Sequence, residues 1–170
     1  MSFFDAIQQF LNAGGTVLWV ILWVSMGLWC LIIERLLYFK QVYPKQRKLW
    51  LEQWQSRTDK SSQQALSIRQ CIICEAKIDM NKTLPLITML VALCPLLGLL
   101  GTVTGMIHVF DVMAVTGSGN ARAMASGVSQ ATIPTMAGMV IAITGLYFSK
   151  LIEQRVSEET HHLTDLLQYR

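Results

Sequence analysis

Three long apolar runs separated by polar stretches dominate the chain, at residues 16–33, 84–115 and 131–148. Each approaches or exceeds the roughly 18–20 apolar residues that a helix needs to cross a bilayer. The stretches between them are patterned too. Phe3, Ile7, Phe10 and Leu11 share one helical face and Asp5, Gln8, Gln9 and Asn12 the other, predicting a short amphipathic helix on the membrane surface that Gly14-Gly15 ends. Leu49, Trp50 and Trp54, with Lys45, Arg47 and Lys48 upstream, predict a basic amphipathic helix near the bilayer. A polar turn over 57–62 follows, and then a helix with Leu66, Ile68, Ile72, Ile73 and Ile78 as its apolar residues, running on into the second span. In the tail, Ile152, Val156, Leu163 and Leu166 or Leu167 make an apolar stripe that needs a partner, and oligomerisation is expected to supply it.

The predicted fold is therefore all-α, a homo-oligomeric bundle of chains with three transmembrane helices, the second and third extended beyond the bilayer. The expected segments are a surface helix over 1–13, a first span over 14–37, a helical segment over 38–83, a second span over 84–115, a loop over 116–124, a third span over 125–149 and a helical tail over 150–170.

The second and third spans are not plain anchors. Gly98, Thr102 and Gly105 fall at four- and three-residue steps, so they share a face, and Gly101 and Gly105 form a small-xxx-small pair that lets backbones approach closely in lipid. Ala131, Thr135, Gly138, Ala142 and Gly145 repeat the pattern in the third span. Two small faces, each bearing a threonine, predict a tight and slightly polar shared interior. The first span is bulky, with Trp19, Trp23 and Trp29, and suits a lipid-facing position. Pro95 inside the second span removes one helical hydrogen bond and frees the Val91 carbonyl, whereas Pro134 is expected near the start of the third helix.

Charge sets the orientation. Ten Lys and Arg residues, from Arg35 to Lys82, lie between the first and second spans; Lys150, Arg155 and Arg170 lie in the tail; only Arg122 falls between the second and third. The positive-inside bias puts the long segment and the tail in the cytoplasm, and the N-terminus and the 116–124 loop outside. The net charge of +3 is thus an orientation signal. No interleaving of basic and aromatic residues points to nucleic acid. The mean hydropathy of +0.41, with 52% hydrophobic and 15% charged residues, is that of a membrane protein.

Candidate chemistry is sparse. No nucleophile sits beside a base and no phosphate loop is present, so an enzyme is not expected, nor is a cofactor. Cys71 and Cys74 form one CxxC without a second, and His161 and His162 are adjacent and so cannot share a helical face; ordinary helix packing, not a metal site, is expected. Four cysteines in spans or cytoplasm give no disulfide framework. Glu34 and Arg35 leave two readings open, snorkelling charges or an inter-subunit salt bridge. His108 and Asp111, three apart near the outer end of the second span, either reach the headgroup layer or form a titratable mouth; the headgroup reading is preferred. The span interiors offer Thr88, Thr102, Thr104, Thr132, Thr135 and Thr144 but no Asp or Glu, so a proton crossing here needs a carboxylate from another subunit.

The stretch Pro95-Leu96-Leu97-Gly98-Leu99-Leu100-Gly101-Thr102-Val103-Thr104-Gly105-Met106, with Ile107 and Phe110, resembles the second-span signature of the MotA/TolQ/ExbB proton-channel family. Gly127-Val128-Ser129-Gln130-Ala131-Thr132-Ile133-Pro134-Thr135-Met136-Ala137-Gly138 resembles its third-span signature, and Ile33-Glu34-Arg35-Leu36-Leu37-Tyr38-Phe39 the end of its first span. The three-span plan and compact size are most similar to the short ExbB members, with TolQ-type members the alternative and a non-conducting scaffold the reading from a different class. The resemblance implies a bacterial inner-membrane protein forming a homopentamer around ExbD helices. Each ExbD helix would bring one membrane aspartate, and proton flow would drive ExbD and TonB. It maps the pore threonines onto Thr102 and Thr135. Gln130 stands where the family usually carries a glutamate; an amide there orders water but does not titrate.

Overall fold

The computed structural model describes residues 14–56, 63–116 and 121–167, the side chains of 116 and 121–123 excepted. The expected surface helix over 1–13, the 57–62 turn and the tip of the 116–124 loop lie outside the described residues. The elements are α1 (Gly15–Leu37), a π-helical turn (Tyr38–Val42), α2 (Tyr43–Gln55), α3 (Gln63–Asn81), α4 (Leu84–Thr116) and α5 (Ala121–Leu166). No strand occurs among the described residues. Three helical stretches are long and apolar enough to cross a membrane, Gly15–Gln55, Gln63–Val115 and Met124–Leu166. The second and third extend well past their apolar windows, as the polarity pattern predicts.

Contacts divide the chain into two units. The first takes in Met1–Trp29 and Thr88–Leu146, the second Cys30–Ile87 and Tyr147–Arg170.

In the first unit α1 starts at Gly15, whose φ of +66° is a left-handed conformation that glycine adopts without a Cβ penalty. The helix is two-faced. Leu18, Ile21 and Leu28 are buried at helical spacing, while Trp19, Trp23 and Trp29 are exposed. The tryptophan face is thus exposed in the single chain, and the opposite face packs inward. The small faces of α4 and α5 meet each other. A Cβ on Gly138 would lie 2.5 Å from the Cys94 carbonyl oxygen, one on Gly98 3.0 Å from the Thr135 Cα, and one on Gly105 2.6 Å from the Ala131 Cα. Gly101 faces the Pro134 ring, and Gly145 faces Val91 and Leu28. The partners descend on α5 as they ascend on α4, so the helices run antiparallel along this seam. Pro134 lies well inside the 46-residue α5 instead of near its start, because helical structure already begins at Ala121. Its ring is buried and fills the space left by Gly101.

In the second unit the helix leaving the first span continues through the π turn into α2. The cause is Pro44, which has no N–H to give to the Lys40 carbonyl. The preceding Tyr43 N–H reaches back to the Tyr38 carbonyl instead, the five-residue step of a π turn. The wide turn absorbs one residue and keeps Tyr43, Trp50 and Trp54 buried on one face. The tryptophans of the basic amphipathic helix thus enter the protein core, and Leu49 is exposed. On α3 the core face is Ala65, Ile72, Ala76 and Met80; Leu66 and Ile78 point outward. Between α3 and α4 the chain makes a two-residue turn at Lys82-Thr83 just ahead of Pro85, where a continuous helix was expected.

Arg35 is buried, and its Nη2 donates to the Asp79 carbonyl at 3.0 Å while its guanidinium lies 4.8 Å from the centre of the Tyr38 ring. Glu34 is exposed. Neither open reading describes Arg35: it ties α1 to α3 within one chain. The tail stripe has the same kind of answer. Ile152, Val156, Leu163 and Leu167 are buried inside the chain, so the tail's partner is its own α2 and α3 and the stripe gives no argument for oligomers. The Arg69 Nη2 donates to the Thr164 carbonyl at 3.0 Å, Tyr43 donates to the Glu159 carbonyl at 3.4 Å, and Arg47 pairs with Glu159 at 3.6 Å. Cys71 and Cys74 are exposed on α3.

Two outcomes follow from this packing. Gly138→Ala forces α4 and α5 apart and should cost about 1–3 kcal/mol, read as a lowered melting temperature in detergent. Gly27→Ala meets nothing within 4 Å and should be neutral or stabilising by up to about 1 kcal/mol. Burial, reinforced by the Glu159 charge, holds the Tyr43 hydroxyl well above the usual tyrosine range, and burial raises Tyr38 in the same direction. Both groups are bound more tightly to their protons in the fold than in the unfolded chain. Their contribution is fully present below about pH 10 and is lost as pH rises through the folded values. Tyr43→Phe should therefore show a smaller fall in melting temperature between about pH 9 and about pH 11 than the wild type.

Candidate functional site: the threonine seam between α4 and α5

The seam is built where small residues let two backbones touch. With Gly98 beneath the Thr135 Cα, the Thr135 hydroxyl reaches across and donates to the Gly98 carbonyl at 3.1 Å. That bond joins α5 to α4. Thr102 lies one turn further along α4, four residues or about 6 Å from Gly98. Its hydroxyl donates to the Leu99 carbonyl of its own helix at 2.7 Å. Both threonines are half-buried, so they sit at an edge of the seam. Gly98, Gly101, Gly105, Gly138 and Gly145 form the contact itself; Ala142, half-buried, lies between Gly138 and Gly145 on α5.

The other candidates gather elsewhere. His108 and Gln130 line a cavity of about 130 Å³ together with Gly14, Gly15, Thr16, Val17, Gly101, Thr104 and Gly105. Gln130 also borders a second cleft with Ser126, Ser129 and Ile133. Five residues separate Gln130 from Thr135, which turns the two about 140° apart on α5; six separate Thr102 from His108, about 120° apart on α4. The accessory residues thus occupy the opposite edge of the seam from Thr102 and Thr135. Asp111 is exposed and does not line the cavity.

The cavity has polar walls and room for a few waters. Thr104 has no proton to give there, since its hydroxyl already donates to the Leu100 and Gly101 carbonyls at 3.0 and 3.1 Å, but its oxygen can still accept. Sequence spacing placed His108 with Asp111 and left Gln130 alone. The signal that joins His108 to Gln130 is the pair Gly101 and Gly105, which flank Thr104 and open the space. Thr16 was not visible as a lining residue, because nothing in its own span marks it.

Residues 44–165 match the MotA/TolQ/ExbB proton channel family. The chain belongs to this family. The match covers α2 through nearly all of α5 and includes both sides of the threonine seam. Among curated proteins, a putative biopolymer transport protein, ExbB-like 1, from Synechocystis sp. is 42% identical over 77 residues, covering 44% of this chain and 30% of that protein. The biopolymer transport protein exbB1 of Vibrio cholerae is 35% identical over 96 residues, covering 56% of this chain and 42% of that protein. The matched part spans less than half the length of either relative. With family membership and three candidate spans together, this is a multi-pass membrane protein.

Thr135→Val deletes a threonine hydrogen bond that crosses the seam. It should lower stability by about 1 kcal/mol, with Thr135→Ser close to wild type. Thr102→Val removes only a bond within α4 and should leave the melting temperature nearly unchanged. Thermal unfolding of the purified variants in one detergent checks all three.

Proposed function

We propose that the chain is the channel-forming subunit of a proton-driven motor in the bacterial inner membrane, and that it energises TonB-dependent uptake across the outer membrane. The observation that carries this reading is the pair of half-buried threonines at one edge of a glycine-packed seam, in spans whose interiors hold no carboxylate. Neutral hydroxyls do not relay net charge by themselves. An ExbD-like single-span partner supplies the titrating aspartate, and the Thr102–Thr135 edge faces it. The chain is not an enzyme on this reading; it uses no cofactor, and its chemistry is confined to guiding protons.

Several copies, five by family likeness, surround the partner helices. Only 22–28% of the residues in each apolar window are buried within one chain, so ample surface is left for lipid and for sibling copies. The N-terminus faces the periplasm and the tail the cytoplasm, a reading supported by the Lys and Arg distribution. Each elementary charge crossing 100 mV releases about 2.3 kcal/mol, comparable to a few hydrogen bonds, so mechanical output accumulates over repeated transits.

Reconstitution in liposomes with the ExbD-like partner and a pH-sensitive dye tests the reading. Proton flux is expected only when both proteins are present. Thr102→Val and Thr135→Val should each reduce it several-fold at normal protein levels, although only the second affects stability. Unchanged flux in both variants, or no flux from the assembled pair, would leave a packing role alone.

A further inference from the structure

Where α1 and α5 end their apolar runs, a cleft of about 350 Å³ opens between Leu36, Phe39 and Lys40 on one side and Leu151, Ile152, Arg155 and Glu159 on the other. All of these residues belong to the second unit. We infer that this cleft binds an anionic phospholipid, its phosphate held by Lys40 and Arg155 and its acyl chain laid along Leu36, Phe39 and Leu151.

The charges support a phosphate. Both cations are exposed, and neither is engaged in an ion pair among the described residues. The nearby charges are already committed. Glu159 is matched by Arg47 at 3.6 Å, Lys150 by Glu153 at 2.6 Å, and Arg35 bonds the Asp79 carbonyl. Glu159 brings one negative charge to the cleft, offset in part by Arg47 at 3.6 Å, though its Oε2 has no hydrogen-bond partner among the described residues; Lys40 and Arg155 bring two positive charges and leave the cleft positive.

The apolar lining supports a lipid instead of a soluble phosphate. Leu36 and Leu37 close α1, and Tyr38, Phe39 and Lys40 follow in the aromatic-then-basic order typical of a membrane interface. On α5 the aromatic-then-basic order recurs as Tyr147, Phe148 and Lys150, with Leu151 directly after them. The phosphate ligands thus lie at headgroup level beside residues that contact acyl chains. Basic pockets between helices at this depth suit anionic headgroups. The π turn matters here, because Lys40 sits within it and Phe39 packs on the buried Tyr43 ring, 6.1 Å between centres, which fixes one wall.

Native mass spectrometry of the purified protein with phosphatidylglycerol or phosphatidylcholine tests the site. Preferential retention of phosphatidylglycerol is expected. Lys40→Gln and Arg155→Gln should each weaken it roughly fivefold, and the double variant should bind both lipids alike. Arg155→Lys should keep the preference, and excess glycerol 3-phosphate should fail to displace the lipid. Circular dichroism confirms that the variants fold. The inference is overturned if the double variant keeps the wild-type preference, if glycerol 3-phosphate displaces the lipid, or if the wild type shows no preference. It does not depend on conduction, so proton flux can fail while the lipid preference stands.

Discussion

Two helices touching backbone to backbone inside a bilayer is the constraint from which the rest of the first unit follows. Lipid tails are as apolar as leucine, so no hydrophobic driving force pulls α4 and α5 together; close packing and interhelical hydrogen bonds must do it. Gly98, Gly105 and Gly138 permit that approach because a side chain at any of them would collide with the backbone opposite. The Thr135 bond to Gly98 exists only at this separation. The same approach sets the two edges apart, threonines on one and the His108–Gln130 cavity on the other.

The second unit solves a different problem. Its helices are amphipathic and polar enough to meet water, and they gather around the α5 tail through buried aromatic and aliphatic residues such as Trp50, Trp54, Met80 and Leu163. Arg35 is the polar exception. A buried guanidinium is costly unless its donors are occupied; a main-chain carbonyl and the Tyr38 ring meet part of that cost, while the buried Arg35 Nε has no hydrogen-bond partner among the described residues.

Much of this was legible in the residues. Length and hydropathy marked three spans, and the four-and-three spacing of small residues marked the faces of α4 and α5. Periodicity names the face of a helix but not what covers it, and the misreadings share that cause. The tail stripe was assigned to other copies and is covered by its own chain. Trp50 and Trp54 mark the apolar face of a helix expected near the inner membrane surface, and that face is buried in protein. His108 and Gln130 come together only because the chain folds back antiparallel, which no local spacing encodes. Pro134 was misplaced because helix-start signals are local, whereas α5 is continuous over 46 residues.

The direction of two hydrogen bonds has a chemical consequence for whatever approaches the threonine edge. A carbonyl oxygen only accepts, so Thr135 and Thr102 each commit their single hydroxyl proton to Gly98 and Leu99. What remains on both oxygens is lone pairs. The edge is thus an acceptor surface: it welcomes a neutral carboxylic acid, a hydronium or a cation, and repels a bare carboxylate.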